Sequence, residues 1–160
     1  MAKVSIFLTV GSQLPFDRLV DFGERLEELF PERYSFFYQT CSKEKKLKRG
    51  NSAAFLTADQ FTQKVEESDI VVTHAGIGSI ITSFLHSKYV IVVPREFKYG
   101  EHRNDHQLDT ARELNNVAVV RDFDGFLNAI EAFNSSNSSF EVFNAQFYSD
   151  LEKVITKYTS

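Results

Sequence analysis

Short apolar runs alternate with amphipathic stretches along most of this chain, and few folds accept that order. Residues 3–10 (K-V-S-I-F-L-T-V) are rich in β-branched and apolar side chains, which predicts a buried first strand. Gly11-Ser12-Gln13 breaks the run, and Pro15 stands where a helix can begin. Phe16, Leu19, Val20, Phe22, Leu26, Leu29 and Phe30 then recur at helical spacing until Pro31 stops them. The same alternation predicts strands over 34–40, 53–56, 69–73, 89–93 and 117–120. Helices are predicted over 58–68, from the turn at 74–79 to about 86, over 104–114 and over 126–133, with Asp122 or Asp124 as cap of the last. Residues 134–139 read as a Ser/Asn linker to a final helix over 140–158, where Phe143, Phe147, Leu151, Val154, Ile155 and Tyr158 keep helical spacing. Strand–helix alternation of this kind predicts an α/β domain: a Rossmann-like, mostly parallel sheet with helices on both faces. Right-handed crossovers place the loops after its strands along one edge, where such sheets bind ligands.

Composition narrows the function. The 160 residues fit one domain, 1–160, with a real core. A net charge of −4 and a pI near 5.6 argue against a general nucleic-acid binder, so any phosphate site must be local: backbone amides, a helix start, one or two basic side chains. The lone Cys41 rules out an intrachain disulfide and suits a reducing cytosol. No signal peptide is legible, and no apolar run reaches the ~20 residues that span a bilayer. Both readings make a cytoplasmic protein the expectation. The cationic stretch 41–52, with Lys43, Lys45, Lys46, Lys48 and Arg49, reads as a mobile loop, solvated or in contact with an anionic partner or lipid head group.

Two loops on the predicted ligand edge can carry chemistry. In the first, Thr73-His74-Ala75-Gly76-Ile77-Gly78-Ser79, paired glycines let the backbone turn and approach a ligand closely. The helix that follows points free N–H groups and its positive dipole end at that ligand, which suits a diphosphate. A plain strand-to-helix turn capped by Ser79 fits the same residues. There is no third glycine of a dinucleotide fingerprint and no Lys of a P-loop. His74 can donate to a phosphate or sugar oxygen, or hold the loop. In the second loop, 94–107, Arg95, Lys98 and Arg103 mix with Glu96, Glu101, Asp105 and two histidines. His102 and His106 are four apart, as on a metal-binding helix face, but no H-E-x-x-H pattern accompanies them and no metal is assigned. Asp105, His106 and Gln107 are suited to paired sugar hydroxyls; a solvated loop with a helix cap is the alternative.

The runs V-T-H-A-G-I-G-S at 72–79, I-V-V-P-R at 91–95 and Y-G-E-H-R-N-D-H-Q at 99–107, with the opening T-V-G-S-Q, resemble the glycosyltransferase family 28 C-terminal domain over about residues 3–120. Within it they look most like small catalytic subunits of two-component bacterial exopolysaccharide and capsule glycosyltransferases. The catalytic subunit of the dolichol-linked N-acetylglucosamine transferase is the eukaryotic counterpart. The resemblance implies half of a GT-B fold that binds a UDP-sugar and acts as an inverting hexosyltransferase without cofactor or metal. It also implies a membrane-anchored partner subunit that brings a lipid-linked saccharide acceptor and holds this chain at the membrane. Carried over by position, Gly76, Gly78 and Ser79 face the diphosphate, with His74 opening that loop. Gly11 and Ser12 lie at the cleft floor, Arg95 belongs to the donor site, and Gln107, with His106 and Asp105, meets the transferred sugar. Many relatives place a ribose-binding Glu where this chain has Thr82, which makes a weaker contact at most. The general base is His74, Asp105 or a group on the partner. A non-catalytic nucleotide-sugar-binding subunit is the competing reading, and an unrelated flavodoxin-like module a third.

Overall fold

In a computed structural model, described for residues 2–114, 117–135 and 153, strand β1 (Val4–Thr9) runs through the middle of a six-stranded sheet. Its side chains alternate between two apolar faces, because helices cover both. Ile6 and Leu8 point to one face with Ile70, Val72 and Ile91. There they meet Leu19, Val20, Phe22 and Leu26 of α1 (Asp17–Leu29) and Phe126, Ala129 and Ile130 of α5 (Phe123–Ser135). Phe7 and Val71 point the other way, onto Phe61 and Val65 of α2 (Ala58–Glu67). Val90 and Val92 share that face with Ile80 of α3 (Ile77–Leu85) and Ala111 of α4 (His106–Arg112).

The strands β2 (Tyr34–Gln39), β3 (Asn51–Ala53), β4 (Ile70–Thr73), β5 (Tyr89–Val92) and β6 (Ala118–Val119) complete the sheet in the order β3-β2-β1-β4-β5-β6. Every pairing is parallel. The chain winds outward from β1 in one direction and then, from β4, in the other. The reversal opens a crevice at the C-terminal ends of β1 and β4, the switch point of a doubly wound sheet.

The expected elements are present, and the differences lie at their ends. The third strand is Asn51–Ala53, earlier than 53–56, where Asn51, Ser52 and Ala53 pair in register with Phe37, Tyr38 and Gln39 of β2. The helix expected over 104–114 is confined to His106–Arg112. The last described helix starts earlier and runs longer than 126–133: Asp122 accepts the Gly125 N–H at 2.7 Å, and Asn134, assigned to a linker by composition, donates to the Tyr34 hydroxyl at 2.7 Å. The rest of that linker and the helix expected over 140–158 lie outside the described residues, Lys153 excepted. The basic stretch is pinned to α1: Lys45 lies 3.6 Å from Asp17 and 3.8 Å from Asp21, the Lys48 N–H donates to Glu24, and Leu47 packs on the core. Among the described residues no helix is long and apolar enough to cross a membrane.

Candidate functional site

Three loops leave the C-terminal edge of the sheet and enclose an open cleft of about 470 Å³. Loop 10–15 follows β1, loop 74–76 joins β4 to α3, and loop 93–105 follows β5. Gly11, Ser12, His74, Gly76, Gly78, Ser79, Arg95 and Gln107 all line the cleft, and Val10, Gln13, Leu14 and His102 join them. The volume lies within the range typical of small-molecule sites.

The first loop turns at Gly11, whose φ of +85° favours glycine. Its N–H donates to the Thr9 hydroxyl at 3.0 Å, and that hydroxyl donates to Gln39 at 2.6 Å, so two strands fix where the turn sits. Gly11 also makes room for His74: a Cβ there would lie 2.6 Å from Nε2 of the ring. A Cβ on Gly76 would lie 2.2 Å from Cε1 and 2.5 Å from Nε2 of the same ring. The Nε2–Cε1 edge of the imidazole therefore packs against both glycines, and a side chain at either would require the ring or the turn to shift.

Helix α3 begins at Ile77 with Gly76 as its N-cap and no side-chain cap. Ser79 lies inside the first turn and is not the cap. The first N–H groups of a helix have no intrahelical acceptor, and here they open toward the cleft with the positive end of the helix dipole. A Cβ on Gly78 would meet nothing within 4 Å. Nothing inside the chain requires a glycine there, so the space above it is available to a ligand.

The third loop is braced by buried charge. The Arg95 guanidinium, 2% exposed, donates to the carbonyls of Val10, Leu14, Pro15 and Glu101 and lies 4.7 Å from the Phe16 ring. Its donors are committed to the backbone of loop 10–15, so it shapes the cleft instead of holding a phosphate. Glu96, 1% exposed, pairs with Arg121, and also with Arg18 at 3.6 Å and Lys98 at 3.7 Å. Arg121 before the other cations holds its carboxyl below the usual carboxylate range. Glu101 pairs with Arg18 at 2.8 Å and accepts the Glu96 N–H at 3.0 Å.

Gln107 sits at the centre of the three loops. Its Oε1 accepts the N–H of Ala75 at 3.3 Å and of Arg95 at 3.0 Å, and its Nε2 lies 3.1 Å from His74 Nδ1. Burial first, then the Arg95 charge, holds the His74 pKa down at about 4, so the ring is neutral near pH 7.

Three expected site residues stand apart from the cleft lining. Thr82 donates its hydroxyl to the Gly78 carbonyl one turn back, at 3.0 Å, because a hydroxyl inside a helix finds that carbonyl first. Asp105 accepts the Phe97 N–H at 2.9 Å and so closes its own loop. The His106 N–H donates to Asn104, and His106 begins α4. His102 precedes that helix, so the two histidines share no helical face; His102 reaches the cleft instead, with Nδ1 3.0 Å from Asn104 Oδ1. Its neighbourhood to the other motif residues was the available signal for that role, hidden by the metal-like spacing. Thr9 left no such signal, because its part depends on β1–β2 pairing.

A doubly wound parallel sheet with a helix start open at its switch point defines a Rossmann-like α/β domain. Residues 5–122 match the glycosyltransferase family 28 C-terminal domain, and the chain belongs to that family. Its fold is similar to the solution structure of ALG13, at 20% identity and a TM-score of 0.61, with 99% of this chain and 98% of that one covered. It is also similar to the glycotransferase of kitacinnamycin, at 16% identity and a TM-score of 0.60, with 96% of this chain and 40% of that one covered. For CalG4, the calicheamicin glycosyltransferase, the values are 10%, 0.60, 99% and 45%. The chain thus spans less than half the length of the last two proteins. No sequence among curated proteins matches it.

Proposed function

We propose that this chain is the donor-binding half of an inverting, UDP-dependent hexosyltransferase. The observation that carries the reading is the cleft itself: the free amides of α3 and the unfilled space over Gly78 face His74 and Gly11 across the sheet's switch point. A diphosphate seated there meets helix-start N–H groups and the His74 ring, with Ser79 adding a hydroxyl. Donors fixed in place before the reaction stabilise the charge that develops on the departing nucleotide, and they cost no rearrangement when it forms. No metal or cofactor is needed for that step.

Neither base candidate of this chain suits proton abstraction. Asp105 is turned onto the Phe97 amide, and the His74 nitrogen nearest Gln107 is occupied. The base therefore comes from the acceptor side, on a partner subunit anchored in the membrane that presents a lipid-linked saccharide. Membership of the family supports sugar transfer, and coverage of less than half of the two longer glycosyltransferases supports a missing half. Leu14, Phe97 and Tyr99, 45%, 60% and 54% exposed on the loops of the ligand edge, provide apolar surface for that partner. In this reading the chain lies at the inner face of the cell membrane through its partner, in exopolysaccharide or capsule synthesis.

Calorimetry with UDP, ADP, FMN and NAD tests the donor site. Selective UDP binding that weakens in Ser79→Ala supports it; equal or absent binding of all four sinks it. Gln107→Ala should slow transfer, and unaltered transfer would remove Gln107 from the site. Turnover of a UDP-sugar then separates an enzyme from a non-catalytic nucleotide-sugar-binding subunit.

A further inference from the structure

We infer that Gln107 is a positioning residue that locks His74 as the neutral Nε2–H tautomer, making it a fixed hydrogen-bond donor in the cleft. The orientation of the Gln107 amide is set by two backbone donors. The N–H groups of Ala75 and Arg95 both point at one atom of that amide, at 3.3 and 3.0 Å, and only its carbonyl oxygen can accept them. Were the amide reversed, an NH₂ group would face two N–H donors, and its oxygen would face His74 and favour the imidazolium. With the oxygen so placed, the NH₂ group faces Nδ1 at 3.1 Å. An amide nitrogen has no lone pair to give, so it donates and Nδ1 accepts. A neutral imidazole that accepts at Nδ1 carries its proton on Nε2.

Nε2 is the ring atom that lies between Gly11 and Gly76, within reach of a Cβ on either. The proton is thereby presented at the wall of the cleft, beside the start of α3. Of the influences on the charge of the ring, burial, Arg95 and His102 act against protonation, and the Gln107 contact acts the other way. Burial is the strongest of these, and no carboxylate lines the cleft. One side chain also ties β4's loop to β5's loop, so the register of the donor wall depends on it. The catalytic meaning, a donor to the leaving diphosphate, rests on the reading under Proposed function; the tautomer does not.

Long-range ¹H–¹⁵N correlation spectra of the imidazole groups in the ¹⁵N-labelled full chain test the inference without any ligand. His74 should show a protonated Nε2, a bare Nδ1 and no titration between pH 8 and pH 5. In Gln107→Glu, a carboxylate still accepts both backbone N–H groups but has nothing to donate. Nδ1 should then gain a proton, with titration moving up to or beyond about 6.5, the ordinary histidine value. An Nδ1–H tautomer in the unaltered chain overturns the inference, as does a spectrum that Gln107→Glu leaves unchanged. The unaltered chain alone decides the question should the variant fail to fold. A locked tautomer in a chain that does not bind UDP sinks the donor-site reading and leaves this one standing.

Discussion

At the scale of single residues, two glycines of one turn are there for different reasons. Gly76 makes room for the His74 ring, whereas Gly78 meets no atom of its own chain. Gly76→Ala should therefore destabilise the fold by about 1–3 kcal/mol, read from urea unfolding, because the ring or the turn must move. Gly78→Ala should leave stability unchanged or raise it by up to about 1 kcal/mol, since alanine is the better helix former. The same methyl should weaken UDP binding roughly tenfold by calorimetry, the effect of about 1.4 kcal/mol of lost contact. His74 makes a pH prediction. Its folded pKa of about 4 lies below the value near 6.5 of an unfolded chain. Between those values the unfolded state holds a proton that the folded state refuses, so stability falls as pH drops through that window and is independent of this group above it. The loss is on the order of 2 kcal/mol. The stability difference between the unaltered chain and His74→Asn should shift by that amount between pH 7.5 and pH 4.5; a constant difference contradicts the assignment. Most of the cleft lining was legible in the sequence, because Gly11, Ser12, His74, Gly76, Gly78, Ser79 and Gln107 fall in or beside strand-ending loops of recognisable pattern. Thr82, Asp105 and His106 stand apart from the cleft lining, the Thr82 hydroxyl and the Asp105 carboxylate being taken by backbone groups that only the folded chain brings near, while Arg95 lines the cleft with its guanidinium committed to backbone carbonyls.

At the scale of elements, β1, β4 and β5 were legible because buried strands read as continuous β-branched runs, and α1 because its apolar stripe is long. Boundaries set by tertiary contacts were not: the early start of β3 depends on its register with β2, and the extension of α5 to Ser135 accompanies the Asn134 bond to Tyr34. The basic loop looked free because charge says nothing of its ion pairs with α1. The loop after β5 is the element most exposed to a single change. Arg95→Met keeps the apolar stem against Phe16 and leaves four carbonyls without their donor. It should cost on the order of 3 kcal/mol in chemical denaturation and abolish UDP binding near the melting range. An Arg95→Met chain as stable as its parent would show that the loops hold without this clamp.

At the scale of the whole molecule, the sheet brings most candidate donor-site residues to one edge, and among the described residues the cleft they line is open. Under the proposed function, this cleft holds the nucleotide sugar and an acceptor-binding half closes over it for transfer. The chain alone should bind UDP and show no turnover of a UDP-sugar on a lipid-linked acceptor, with activity appearing when the partner subunit is added. Full activity of the chain alone would contradict a divided enzyme. The most direct test is a crystal structure with UDP. The diphosphate should lie within hydrogen-bond reach of the Gly78 and Ser79 amides and of His74 Nε2, with Gly11 across from them. A diphosphate bound elsewhere, with the α3 start unoccupied, would contradict the donor site and the transferase built on it.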